Sequence, residues 1–274
     1  MKQIRRKEGI LRSTEEDIVR HESLNKFVSG KAEYIDDLAE EHGTLHAYVG
    51  KSDFAKGIIL DIDLKEVWAS EGVVDIFTAK DLPGSNDISP TSMRDEPVLV
   101  DKDVSFFGQP LFVVVAKTRL EARKAASLVK IKKNIHNPLL DIHNIKNKNP
   151  EIVTTPLKLE RGDVCEYLKK SKYKISGEIY IGGQDHFYLE SHIAMARIEE
   201  SEEVIIHSST QHPTEVQHMV AKVLDIPFNK VIVKVKRMGG GFGGKESQAA
   251  PFAAYAGLCA YKLGRPARIA LSKD

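Results

Sequence analysis

The sequence predicts an α+β fold, with helices packed over mixed strands. Three observations point there. Several short runs alternate apolar with polar side chains, the period of a half-buried strand. Residues 118–129 combine helical spacing of apolar side chains with a capping signal. A strand-like run at 231–235 enters a glycine-rich loop, and a small-residue helix at 247–263 leaves it. At 274 residues the chain has room for about two domains.

Composition narrows the function classes. Hydrophobic content of 42% and charged content of 29% are ordinary for a globular protein. A net charge of +1 suggests neither nucleic acid nor an anionic membrane as partner. No run of about twenty apolar residues is present, so no membrane span is expected. Residues 1–20 are charged and lack the apolar region of a signal peptide. They read as a polar arm, and a cytoplasmic location is expected. The two cysteines, Cys165 and Cys259, are too few for an iron–sulfur site, which normally takes four thiolates. Cys259, in an apolar helix, reads as core.

Strands are expected at 45–49, 58–64 and 73–78, with a short helix at 65–70. Residues 82–87 carry turn chemistry. The run 111–116 is uniformly apolar and reads as a buried strand. In the helix at 118–129, Thr118 caps and Glu121 is its capping-box partner. Leu120, Lys124 and Leu128 share one row, with Ala125 and Val129 beside it, and this face is expected to cover a sheet. Residues 129–133 alternate as a half-exposed strand. Residues 144–150 read as a linker, rich in Asn and Lys and ending in Pro150.

Beyond the linker, 164–170 is a short helix and 174–181 a strand. It delivers Gly182-Gly183-Gln184-Asp185-His186-Phe187-Tyr188-Leu189-Glu190-Ser191-His192. If extended, His186, Tyr188, Glu190 and His192 share a face. Two histidines and a glutamate suit zinc, yet satisfied polar residues beside a cavity are the preferred reading. Residues 204–211 form a strand ending at Ser209-Thr210-Gln211, and Thr214 or a neighbour caps the helix that runs to about Leu224. Gln211 thus stands at a strand end, where α/β proteins often place function. Its amide can donate a hydrogen bond without adding charge. The plainer reading is a turn glutamine that bonds nearby backbone.

The centre of the sequence is Lys236-Arg237-Met238-Gly239-Gly240-Gly241-Phe242-Gly243-Gly244-Lys245-Glu246. Glycine costs conformational entropy, so such a run implies close approach of main-chain amides to a ligand. Gly239 to Lys245 fits a P-loop, but Glu246 stands where Ser or Thr should hold Mg²⁺. Gly239, Gly241 and Gly244 also spell a dinucleotide fingerprint. The preceding strand alternates, however, whereas a central parallel strand is apolar throughout. Asp274 also comes about ten residues later than that fingerprint's acid. Phe242 either plugs the core beneath the loop or faces the ligand. Glu246 is either a favourable charge in a helix first turn or a ligand-binding carboxyl. In the helix that follows, Pro251 suits the first turn and Gly264 the C-terminal stop.

Three stretches in one order resemble a known family. Met238 to Glu246 looks like the molybdenum-cofactor loop of xanthine dehydrogenases. Gly182 to Glu190 resembles the start of that family's molybdenum domain. Ser209-Thr210-Gln211 stands thirty-five positions before Glu246, the family's register. The helix end at 260–266 agrees as well, and the likeness runs from about His21 onward. It implies an α/β hammerhead domain at 21–143, followed at 151–274 by the first part of a molybdenum-cofactor-binding domain.

The resemblance also implies chemistry: hydroxylation with water as the oxygen source at a molybdenum–molybdopterin cofactor. Gln211 is expected to contact the oxo group of the metal. The backbone of Phe242 with Gly241 and Gly243 is expected to sit against the molybdenum centre, so Gln211 and Phe242 are the residues nearest the metal. Glu246 is expected to bind a purine, xanthine or hypoxanthine, since related aldehyde oxidases tend to have an apolar residue there. No catalytic residue is expected within this chain, because the family's glutamate base and substrate-facing arginine lie in parts with no counterpart here. The chain is therefore expected to be a fragment of a molybdenum subunit in a hetero-oligomer, with 2Fe–2S clusters and FAD on a partner subunit. An aldehyde-oxidising relative, or a non-catalytic piece acting only in subunit assembly, are the alternatives.

Overall fold

Leu45, Ala47 and Val49 bury one face of β1 (Leu45–Lys51), as the alternation requires. The computed structural model describes residues 21–145 and 155–273. The N-terminal arm, positions 146–150 of the linker and Asp274 lie outside them. Before β1 comes α1 (Leu24–Val28). After it come β2 (Gly57–Asp63), α2 (Lys65–Trp68), β3 (Val73–Thr78), β4 (Asp103–Val104), β5 (Pro110–Ala116), α3 (Arg119–Ala126), β6 (Lys130–Ile135) and α4 (Ile142–Ile145). The second half adds α5 (Val164–Lys170), β7 (Ile193–Ile198), β8 (Val204–Ser208), α6 (Pro213–Leu224), β9 (Val231–Lys234), α7 (Ala250–Leu263) and β10 (Ala267–Ala270). Among the described residues no helix is long and apolar enough to cross a membrane.

Seven strands join in one sheet of order β3-β5-β1-β10-β7-β8-β9, and β4-β2-β6 form a smaller one. β10 pairs parallel to β1 and antiparallel to β7. The large sheet therefore crosses the sequence linker, and so does its core. Leu45, Val113 and Phe77 pack in one cluster with Ala194, Ile206, Val220, Leu258 and Ile269 under α6 and α7. Tyr255 lies in that core, and its hydroxyl donates to the Val98 carbonyl at 2.7 Å. β5 is buried on both faces: Val113 and Val115 enter this cluster, while Phe112 and Val114 enter the second, beneath α2 and α3. That accounts for its uniformly apolar sequence. β9 is one of the two edge strands, with Val231 and Val233 inward and Ile232 outward. Its alternation matches that position.

Residues 33–43 cross the other face as an acidic strap. Arg268 binds Asp36 and, at 2.9 Å, Glu40. Arg197 meets Glu41 at 3.3 Å. Arg237 and Arg265 donate to the carbonyls of Glu33 and Gly43.

Local signals mostly hold, with four corrections. Thr118 accepts from the Glu121 N–H as a cap should. The buried face of α3, however, is Ala122, Ala125 and Ala126, whereas Leu120 and Leu128 are exposed. Small alanines let the helix lie close on the sheet, which the leucine row would prevent. Residues 174–181 form no strand, because no neighbouring strand meets their backbone. α6 starts at Pro213 with His212 in the N-cap position, and no side chain, Thr214 included, caps it there. α7 begins at Ala250 rather than Ser247, since residues 242–249 are held in turns. Glu246 is therefore not a first-turn charge. Gly264 ends α7 in the left-handed conformation, φ 60°.

A shared core has a consequence for separability. Residues 21–145 alone lose β10, one of the two partners of β1, and most of the main cluster. Expressed by themselves, they should give a poorly dispersed amide NMR spectrum and no cooperative thermal transition. A well-dispersed spectrum would show two independent cores.

Candidate functional site

The three sequence motifs meet at one place. Gln211 follows β8, the glycine loop follows β9, and the 182–190 segment leads to β7. The Gln211 side-chain carbonyl accepts from the N–H groups of Gly243 at 3.0 Å and Lys245 at 3.2 Å. The Gln211 N–H in turn donates to the Lys245 carbonyl at 2.9 Å. Gln211 thus fastens the loop, and its Nε2 carries no hydrogen bond among the described residues. The turn-glutamine reading describes one end of the amide and leaves the other end free.

Gly241 is required by this contact. A Cβ there would come within 2.6 Å of Gln211 Oε1. The next residue, Phe242, adopts a positive φ of 52° and leaves its ring 76% exposed. It does not plug the core. Among the described residues, the N–H groups of Gly240, Gly241 and Phe242 make no hydrogen bond, while that of Gly244 donates to the Gly241 carbonyl at 2.7 Å. Glu246 is exposed, with no hydrogen bond or ion pair among the described residues.

Sequence reading passed over the residue that binds the motifs together. Lys245 is fully buried. Its Nζ donates to Ser209 Oγ and the Glu190 carbonyl, each at 2.7 Å, and lies 3.4 Å from Glu190 Oε2. It also sits 4.6 Å from the Tyr188 ring centroid, a cation–π contact. Glu190 Oε2 accepts from Ser209 Oγ at 2.5 Å and from the Gly239 N–H at 2.9 Å. One carboxylate and one ammonium therefore hold all three segments. Burial lowers the Lys245 pKa, and Glu190 opposes that shift. The signal available in the sequence was a lysine directly after five glycines, with no acid beside it except Glu246. It does not disclose burial.

His192 extends the cluster. Its Nε2 lies 2.6 Å from the Tyr188 hydroxyl, and its ring stacks on Phe252 at 4.9 Å. Burial, then the Lys245 charge, push its pKa down to about 4. Glu190 Oε1 and His192 Nδ1 are buried without a partner among the described residues. No group of three His, Cys, Asp or Glu there could hold a metal ion. Glu190 and Gly239 border a cavity of about 500 Å³ reaching Tyr34, Arg119 and Lys273. A second, of about 400 Å³, lies between Glu96 and the start of α7. Neither is lined by Gln211, Phe242 or Glu246, which stand on an open surface.

Fold and site together define a protein of the molybdenum-cofactor-binding class. Residues 29–134 match the aldehyde oxidase and xanthine dehydrogenase a/b hammerhead domain, and residues 143–274 match the molybdopterin cofactor-binding domain. The chain belongs to the aldehyde oxidase and xanthine dehydrogenase family. It is 37% identical over 256 residues to a xanthine dehydrogenase of Dictyostelium discoideum, covering 93% of this chain and 19% of that protein. It is 38% identical over 257 residues to xanthine dehydrogenase 1 of Arabidopsis thaliana, covering 93% and 19%. The aldehyde oxidoreductase of Desulfovibrio gigas superposes with a TM-score of 0.80 at 23% identity, over 92% of this chain and 29% of that one, a likeness of fold. Quinoline 2-oxidoreductase of Pseudomonas putida 86 gives a TM-score of 0.77 at 25% identity, over 93% and 34%. The chain thus spans about a fifth of the length of its curated relatives.

Two outcomes follow from the buried cluster. Lys245→Met leaves the Glu190 carboxylate buried and unpaired, so urea unfolding should show a loss of about 3–5 kcal/mol. Adding Glu190→Gln should restore much of it. His192 is neutral when folded but takes up a proton near pH 6.5 once unfolded. Its contribution is therefore full above about pH 6.5 and falls away as pH drops toward about 4. In His192→Phe, urea midpoints measured across that window should fall less steeply than in the parent chain.

Proposed function

We propose that this chain is part of a molybdenum hydroxylase subunit that oxidises xanthine or hypoxanthine. The observation that supports it most is the row of bare N–H groups at Gly240, Gly241 and Phe242 beside the free Gln211 amide. Such donors suit an oxygen-rich, anionic group such as a molybdopterin cofactor. Gln211 and Phe242 are exposed there, while Gly241 is buried and keeps the backbone close to Gln211.

In this reading Gln211 Nε2 donates toward an oxygen of the cofactor, and the backbone of Gly241, Phe242 and Gly243 lies against it. When bound, the cofactor supplies oxidative hydroxylation of a ring carbon, with the oxygen drawn from water. Lys245 and Glu190 keep the loop in shape before the cofactor arrives. Glu246, exposed beside the loop, hydrogen-bonds the purine and orients it. The 2Fe–2S clusters and FAD that would accept the electrons would sit on a partner, since Cys259 is buried and Cys165 alone cannot ligate a cluster. The hammerhead region is taken as 21–143 and the cofactor region as 151–274. The remaining parts of the active site, including the base, belong to polypeptide beyond this chain.

The test is made in the assembled enzyme. Molybdenum should co-purify with it, measured by mass spectrometry of the metal. Glu246→Ala should lower kcat/KM for xanthine by about 10–100-fold, the value of a charge-assisted hydrogen bond. Aromatic aldehydes should be affected much less. Equal losses would remove the purine assignment in favour of aldehydes, and absence of metal would favour an assembly role.

A further inference from the structure

Residues 173–181 alternate with strand period. Tyr173, Ile175, Gly177, Ile179 and Ile181 fall on one side, and Lys174, Ser176, Glu178 and Tyr180 on the other. Such a pattern belongs to a strand with one face in a core. Here Ile175 is 103% exposed, Tyr173 82%, Ile179 84% and Ile181 79%. The backbone groups of residues 174–187 make no hydrogen bond among the described residues. Leu157 and Leu159, two apart upstream, are also fully exposed. Everything that makes a buried strand is present except the neighbour.

We propose that residues 173–181 are a docking strand that adds to an open sheet edge of another polypeptide, the counterpart of the length its relatives have beyond this chain. Main-chain hydrogen bonds would supply the affinity, and a complementary apolar face would take Ile175, Ile179 and Ile181. The relatives' length argues for this occupant, because this chain spans 19–20% of them. Charge disfavours a second copy at two of this chain's sheet edges. β9 and β6 carry Lys234, Lys130, Lys132 and Lys133, and the strand carries Lys174 with Lys172 just before it, whereas the β3 and β4 edges carry Asp75 and Asp103. Lysines on both partners oppose edge-to-edge pairing. The proposal rests on the incomplete-subunit reading, and not on the roles of Gln211, Phe242 or Glu246. Docking would also fix Gly182 and Gly183, which lead to Tyr188 and Glu190 of the buried cluster.

The experiment compares the native assembly, isolated through a tag on this chain, with the chain alone by hydrogen exchange. A photo-reactive side chain at position 179 identifies the neighbour. Amides of 173–181 should exchange at least about tenfold slower in the assembly. The cross-link should land in a polypeptide whose sequence matches the relatives beyond this chain. Ile179→Asp should weaken association by about tenfold or more, while Ser176→Asp, on the other face, leaves it nearly unchanged. Ile179 and Ser176 are both exposed, so both variants should keep the parent circular dichroism. Equal exchange in both states, a cross-link to a second copy or to an iron–sulfur or FAD polypeptide, or equal effects of the two variants would overturn the proposal. An assembly that protects the strand but lacks molybdenum would leave docking standing and sink the cofactor reading.

Discussion

The arrangement of the site depends on one buried ammonium. Lys245 has no access to water, so its charge survives only where protein oxygens replace the solvent. Glu190 and Ser209 supply those oxygens, from segments 55 and 36 residues away in sequence. An ion pair in such a setting contributes little net stability against an apolar substitute, but breaking one half is costly. Its value here is positional. It admits one relative placement of the loop, the strand end at Ser209 and the 182–190 segment, and the Gly239 and Gln211 hydrogen bonds follow from that placement.

The same economy appears in the sheet. β10, the last strand of the described chain, sits between β1 and β7 and joins two sequence regions into one core. The stretch at 144–150 that reads as a linker falls between two sequence regions that share one hydrophobic interior. The strap of residues 33–43 adds a second tie between the halves, through exposed charges that salt will screen.

Local order was legible in the sequence, and long-range pairing was not. Thr118, Pro251 and Gly264 mark helix ends through backbone chemistry that one residue can announce. The alternation in Val231, Ile232 and Val233 identified a strand with one open face, and β9 is at the edge. The glycine loop and Gln211, which the family register set near each other, are hydrogen-bonded in the structure. The face of α3 was misread because its alanines, not its leucines, set the distance to the sheet. Residues 174–181 carry a true strand pattern, but a pattern cannot state whether its neighbour lies in the same chain. The burial of Lys245 depends on Glu190 and Ser209, which no local window contains.

The loop's attachment to an edge strand has a consequence for how such a surface can change. Residues between β9 and α7 hang from the rim of the sheet, so an exchange at Phe242 or Glu246 disturbs none of the ladder between β3 and β8. Selection can therefore revise what the rim recognises while the scaffold keeps its folding free energy. Lys245 marks the border between the part that is open to such revision and the part that is not.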